Sequence, residues 1–214
     1  MRRYILIGMA MMAALACGRS KTGGFSACEL NILNGTDSIM RVLTIQDSID
    51  LAVLRAVSCD FSAKELMSEQ FTKLGRRMVA PVTHPSQDGV GIAGPQVGLN
   101  RRVVAVQRFD KEGEPFEVYP NVRIVWASDS LAAGPEGCLS VPDRRGVVLR
   151  PQEIVIEYAD LTVTELSRHE NRLKSRGCAK PVPMVRDTVS GFTAVIFQHE
   201  VDHLDGVLYI DRLR

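Results

Sequence analysis

His199-Glu200-Val201-Asp202-His203 constrains this chain more than any other stretch of it. Two imidazoles four residues apart reach a common point only if the backbone between them is helical, and the glutamate beside the first then flanks whatever both of them hold. The pattern asks for a helix that presents a metal ion and a general base. A hydrolytic metal site keeps one coordination position open for water and so needs a third protein ligand. Only 11 residues follow His203. Gly206 stands where the extended pattern HExxHxxGxxH has its glycine, but Tyr209 occupies the place of the third histidine, and no glutamate occurs after Glu200. The third ligand has to come from upstream.

The upstream donors are the other histidines, the acids and a thiolate. Among them Glu136-Gly137-Cys138-Leu139-Ser140 stands out, because Gly134-Pro135 ahead of it and Pro142 behind it confine the backbone and Gly137 permits a tight approach. A metal would hold Cys138 as the thiolate. By ligand type, two histidines and one cysteine suit zinc. The five cysteines, at 17, 28, 59, 138 and 178, form no regular disulfide framework.

The rest of the chain reads as an α+β domain in which several β-runs alternate with few helices. A short helix is expected over Ser26 to Leu33, with Ser26 as its N-cap and Gly35 beyond its end. A strand is expected at Arg41–Ile45. Apolar residues Leu66, Met67, Phe71, Leu74 and Met78 give a helix over Ser62–Met78, opened by a Ser62/Glu65 capping box. A turn-rich stretch from Pro81 to Gly91 precedes strands at Arg102–Val106, Val118–Val125, Val147–Leu149 and Ile154–Tyr158. Thr164 to Thr188 is polar and reads as a surface excursion. A final helix runs from Gly191 to Leu204, ended by Gly206, before a last strand Val207–Ile210.

The N-terminus, MRRYILIGMAMMAALAC, places Arg2 and Arg3 ahead of an apolar run too short to span a bilayer, closed by small residues and Cys17. It predicts a secretory signal over 1–17 with a lipid anchor at Cys17, a linker over 18–39 and a catalytic domain over 40–214. The expected location is then the bacterial cell envelope, or the cytoplasm if translation starts at Met40. With Cys17 acylated and Cys138 on the metal, an odd set of cysteines is left, which cannot all pair. A net charge of +1 offers no broad basic face for nucleic acid.

Three motifs carry a resemblance. GVGIAGPQVG (Gly89 to Gly98), EGCLS (Glu136 to Ser140) and QHEVDH (Gln198 to His203) are similar, in order and separation, to the signatures of the peptide deformylase family. Leu54-Arg55 and the ending Gly206 to Arg212 are similar too, so the resemblance covers Met40 to the C-terminus. It implies antiparallel β-sheets packed around a central HExxH helix and hydrolysis of the formyl group from N-formylmethionyl peptides by a monomer. It further implies ferrous iron, replaceable by zinc or nickel, on Cys138, His199 and His203, with Glu200 as catalytic acid and base. The Gln96 side-chain amide and the Leu139 N–H would stabilise the oxyanion. Gly89, Gly91 and Gly94 would let an extended peptide lie close, Arg145 would contact it, and Glu136, Arg150 and Asp202 would support the ligands.

This chain departs from the family pattern at several points. Ala93-Gly94 replaces the usual pair of alanines, which is expected to loosen packing. Val122 stands where many members have proline, the polar stretch from Thr164 to Thr188 is longer than the norm, and the C-terminal helical tail of some members is missing. Two rival readings are a metallopeptidase and an envelope protein that binds peptide termini on the same scaffold.

Overall fold

The computed structural model describes residues 24–37, 39–85, 89–162 and 182–214. Its helices are α1 (Ala27–Asn34), α2 (Ser48–Leu54), α3 (Ala63–Leu66), α4 (Glu69–Thr83) and α5 (Gly191–Leu204). Its strands are β1 (Gly91–Ala93), β2 (Val103–Gln107), β3 (Phe116–Pro120), β4 (Arg123–Ala127), β5 (Leu131–Cys138), β6 (Val141–Pro151), β7 (Glu153–Ala159) and β8 (Met184–Ser190). They form sheets β1-β2-β3 and β4-β7-β8 and the hairpin β5-β6, all antiparallel. The fold is α+β, as expected.

The unbroken apolar run of β2 follows from its place at the centre of its sheet, covered by a helix on each face. Successive side chains of a strand point to opposite sides. Val103 and Ala105 accordingly join Phe71, Leu74, Met78 and Val82 of α4 in one core cluster. Val104 and Val106 join Ala194, Ile196, Phe197, Val201 and Leu204 of α5 in another. The far side of α5 meets Ile154 and Ile156 of β7 and Val189 of β8 within that second cluster. A helix held between two sheets is buried nearly all round, which is why residues 198–203 carry both apolar and ligand side chains without a solvent face.

Several sequence expectations are corrected. Arg41–Ile45 forms no strand: the Leu43 N–H donates to the Gln96 carbonyl at 2.8 Å and the Ile45 N–H, already in a turn, to the Ser140 carbonyl at 2.9 Å. The Ser62–Glu65 capping box is present, but Ser68 caps a second helix by accepting from the Phe71 N–H, and this splits the expected helix in two. α4 then continues through Pro81 to Thr83. The strand expected over Val118–Val125 breaks at Asn121, whose φ of 54° lies in the left-handed region. Most of the expected polar excursion falls outside the described residues, but its end, from Met184, is strand β8. Val207–Ile210 is not a strand, and Tyr209–Arg212 forms a 3-10 turn in which the Asp211 carboxylate accepts from the Leu208 N–H at 2.9 Å.

Candidate active site

On α5 the rings of His199 and His203 lie edge to face, at 73°, with centroids 5.1 Å apart. Cys138 ends β5, and the two-residue turn Leu139-Ser140 leads straight into β6, which brings its thiol to the buried helix. The Cys138 Sγ lies 3.2 Å from the His203 Nε2. One ligand atom from each of Cys138, His199 and His203 lies within 4.8 Å of the others. One thiol and two imidazoles converging at that spacing fit a divalent metal with an open fourth position. Burial holds His203 well below its usual pKa, whereas the contacts of His199 with Cys138 and Glu136 outweigh its burial and push it up to about 10; a metal held by both rings would displace the His199 proton.

Glu200 is fully enclosed, and its Oε2 has no hydrogen-bond partner among the described residues. Burial pushes its carboxyl up to about 7; the His199 charge opposes the shift, and Glu136 and Asp202 add to it. A carboxyl poised there can both take and return a proton near neutral pH.

Behind the ligands runs a chain of ion pairs. The Glu136 Oε2 lies 2.8 Å from the His199 Nδ1, and Arg150 donates to both Glu136 oxygens, at 2.8 and 3.0 Å. Arg150 also donates to the Asp202 Oδ2 at 2.6 Å, and Arg212 closes a bidentate pair on Asp202 at 2.6 and 2.7 Å. Burial resists ionisation of Glu136, but its bonds to Arg150 and His199 outweigh it and hold the carboxyl down at about 2. Glu136, Arg150 and Asp202 therefore stand where support for the ligands was expected. Arg212 and Tyr209 were not foreseen. The Tyr209 ring lies at 25° to His199, with centroids 5.9 Å apart, so the residue occupying the missing third histidine position packs against a metal-facing imidazole instead.

Gln96 sits in the 3-10 turn Gly94–Val97. Its Oε1 accepts from the Ala93 N–H at 2.8 Å, which turns the Nε2 toward the Ser140 Oγ at 3.2 Å and the Cys138 Sγ at 3.5 Å. Ser140, fully buried, is a further unforeseen partner. Leu139 is half-buried in the turn beside Cys138, and Arg145 is exposed on β6, opposite Gly137 in the ladder.

The three glycines meet the protein itself. A Cβ on Gly91 would lie 2.6 Å from the Glu200 Oε1, and one on Gly89 would lie 2.8 Å from the Val82 Cγ1. On Gly94 it would lie 2.6 Å from the Arg101 carbonyl oxygen and 2.7 Å from that of Leu99, so glycine there marks tight backbone packing, not the looseness expected of the Ala93-Gly94 pair. The two similar end segments also touch: Arg55 pairs with Asp211 and donates to the Gly206 carbonyl at 3.3 Å.

An HExxH helix that meets an upstream cysteine inside an α+β frame defines a class, the hydrolases that activate water on a metal ion. Comparison with known proteins narrows it. The Polypeptide deformylase family profile matches residues 39–214. The peptide deformylase of Leptospira biflexa is 35% identical over 170 residues, which span 76% of this chain and 83% of that protein. That of a Caulobacter species is 35% identical over 178 residues, 82% of this chain and 88% of that one. Among solved structures, the actinonin-bound class I type b peptide deformylase of Acinetobacter baumannii superposes with a TM-score of 0.65 at 31% identity, over 83% of this chain and all of that one. The chain belongs to the peptide deformylase family, whose metal-dependent members remove the formyl group from N-formylmethionyl peptides. Membership displaces the metallopeptidase and terminus-binding alternatives.

It also corrects the expected location. Peptide deformylases work in the bacterial cytoplasm, which overturns the reading of a lipid-anchored envelope protein. No helix among the described residues is long and apolar enough to cross a membrane. Residues 1–23, with the expected signal and Cys17, lie outside the described residues.

Proposed function

We propose that Cys138, His199 and His203 hold ferrous iron, with zinc or nickel as substitutes, and that Glu200 is the proton carrier of deformylation. The observation that carries this reading is the enclosed Glu200 carboxylate, unpartnered at Oε2 and one residue from His199. The metal, when bound, makes water nucleophilic at neutral pH and polarises the formyl oxygen. Glu200 takes the proton of the attacking water and returns it to the leaving amine, a service worth about 10²–10⁴-fold in rate. The Gln96 Nε2 and the Leu139 N–H donate to the oxygen on which charge develops.

An extended peptide joins the free edge of β1, the outer strand of its sheet and the one that carries Gly91 beside Glu200. Its first side chain enters a cavity of about 240 Å³ lined by Gly134, Glu136, Arg150, Phe192 and Val195, the last of these one turn ahead of His199. Support for peptide binding comes from the Acinetobacter baumannii deformylase, 31% identical, whose structure with Met-Ala-Ser is solved. Arg145 contacts the peptide beyond its first residue.

The test is a formate-release assay on formyl-Met peptides with Fe(II)-loaded protein under exclusion of air, beside Glu200→Ala. The expected variant binds metal as the parent does and has lost turnover. A folded Glu200→Ala protein without metal would make Glu200 a ligand and overturn the assignment.

A further inference from the structure

α1 lies upstream of the residues that the family profile matches, yet it is built into the fold around the Gln96 loop. Leu33 is fully buried, and the rings of Phe25 and Phe61 lie 5.9 Å apart. Arg77 of α4 donates to the Ile32, Leu33 and Gly35 carbonyls at 3.2, 2.8 and 2.8 Å, closing the end of the helix. Glu29 forms the most consequential link. It caps α1 with Ser26 and pairs through both oxygens with Arg101, a side chain only 1% exposed. Glu65 of α3 takes the same guanidinium at 3.0 Å, and the rings of Phe25 and Phe61 flank it at 5.8 and 5.4 Å.

Arg101 has no slack on its other side. Its carbonyl oxygen lies where a Cβ on Gly94 would approach to 2.6 Å, and Gly94 opens the turn that carries Gln96. The turn closes through Gly98, whose N–H donates to the Pro95 carbonyl at 3.0 Å. Gly98 has a φ of 85°, and a Cβ there would lie 3.2 Å from the Ile32 Cδ1 of α1. α1 thus braces both ends of the turn, through Arg101 and through Ile32.

We propose that α1 is a positioning element of the active site, with Glu29 acting through Arg101, and Ile32 through Gly98, to hold the Gln96 amide against Cys138 and Ser140. The proposal rests on the oxyanion role of Gln96 given above. Displacement of a reacting group by a fraction of an ångström costs about tenfold in turnover, because the catalytic geometry is met only at near-contact distance.

The test uses the full chain loaded with iron, as Glu29→Gln and Ile32→Ala, each alone and combined with Gln96→Ala. Turnover is measured well below the unfolding temperature, and the Gln96 side-chain amide is followed by ¹⁵N NMR. Each single variant should lose about tenfold in kcat with KM and metal content unchanged. The Gln96 amide resonance should move, and neither change should lower kcat further once Gln96 is alanine. Variants that only melt earlier, with kcat and the amide resonance intact, would make α1 a mere stabiliser and overturn the proposal. A loss that adds fully to that of Gln96→Ala would overturn it as well. If Gln96→Ala alone keeps full turnover while the amide resonance still moves in Glu29→Gln, the fault lies in the oxyanion role, not in the bracing. Ile32→Ala keeps the question open to measurement should Glu29→Gln fail to fold.

Discussion

Replacing Gly91 by alanine should disable catalysis while sparing the metal. The added Cβ would sit 2.6 Å from the Glu200 Oε1, 2.8 Å from the Ile196 Cγ2 and 2.9 Å from the Glu200 Cγ. Ordinary contact begins near 3.4 Å, so β1 and α5 must part, or the carboxylate must swing, by about 0.8 Å. Rotation alone does not relieve the strain, because Ile196 blocks the same side. Overpacking of this kind costs about 1–3 kcal/mol of stability, and a catalytic group moved by about 1 Å loses about a hundredfold in rate. The expected result is a folded protein with parental metal content, a slightly lower melting temperature and a kcat reduced by about 10- to 100-fold. Steady-state formate release, metal analysis and thermal unfolding measure the three quantities. Gly75→Ala is the control: its Cβ would meet Val118 at an ordinary 3.6 Å, within a helix where alanine is favoured. A Gly91→Ala enzyme with normal kcat and a raised KM would refute the reasoning, since it would mean that this glycine serves the peptide and not the carboxylate.

Cys138→Ser should lose metal in a competitive chelator titration, because a neutral hydroxyl is a poor replacement for thiolate; unchanged affinity would remove Cys138 from the ligand set. Arg150→Met should destabilise the fold by about 3–5 kcal/mol in urea denaturation, since it strips a buried cation from the buried carboxylates of Glu136 and Asp202; a loss under 1 kcal/mol would show that His199 and Arg212 satisfy them alone. The Arg108 hydrogen bond holds the Asp110 carboxyl down at about 2, below its ordinary 3.8. A depressed folded-state value gives stability that is present above about pH 4 and lost as pH falls toward 2. Asp110→Asn should therefore be less stable than the parent at pH 7, with the gap narrowing as pH falls through 2, and a difference that does not shrink in acid would contradict the assignment.

The side chains that converge at the candidate site were legible because chemistry fixes their spacing: HExxH must be helical to work, and EGCLS stands between backbone constraints. α1 was legible for a local reason too, since Ser26 and Gly35 are end signals of a helix. What escaped lies in long-range contacts. Arg41–Ile45 has the composition of a strand, but the N–H groups of Leu43 and Ile45 go to the Gln96 and Ser140 carbonyls and that of Thr44 to the Asp50 carboxylate, so no ladder forms. Strand β8 was hidden by its charges, which are spent on neighbours, Arg186 on Glu157 of β7 at 2.9 Å and Asp187 on Arg108, just beyond β2 of the other sheet, at 2.9 Å. Ser140, Tyr209 and Arg212 lie inside or beside motifs that were read. Their partners, Gln96, His199 and Asp202, become neighbours only after the sheets and α5 pack, and no periodicity announces that.

The place of the long polar segment on β7 and β8 bears on how such a chain can change length. Ala159 and Met184 face each other in the β7–β8 register, and the Asp160 N–H donates to the Pro183 carbonyl at 2.8 Å. The chain thus leaves the sheet and returns to it at a single point, like a thread knotted at its base. For a connection anchored in this way, each doubling of contour length adds only about 0.6 kcal/mol of closure entropy. A lengthening between these two anchors, or a reporter grafted there, is therefore expected to leave the His199 and His203 pair at its distance from Cys138.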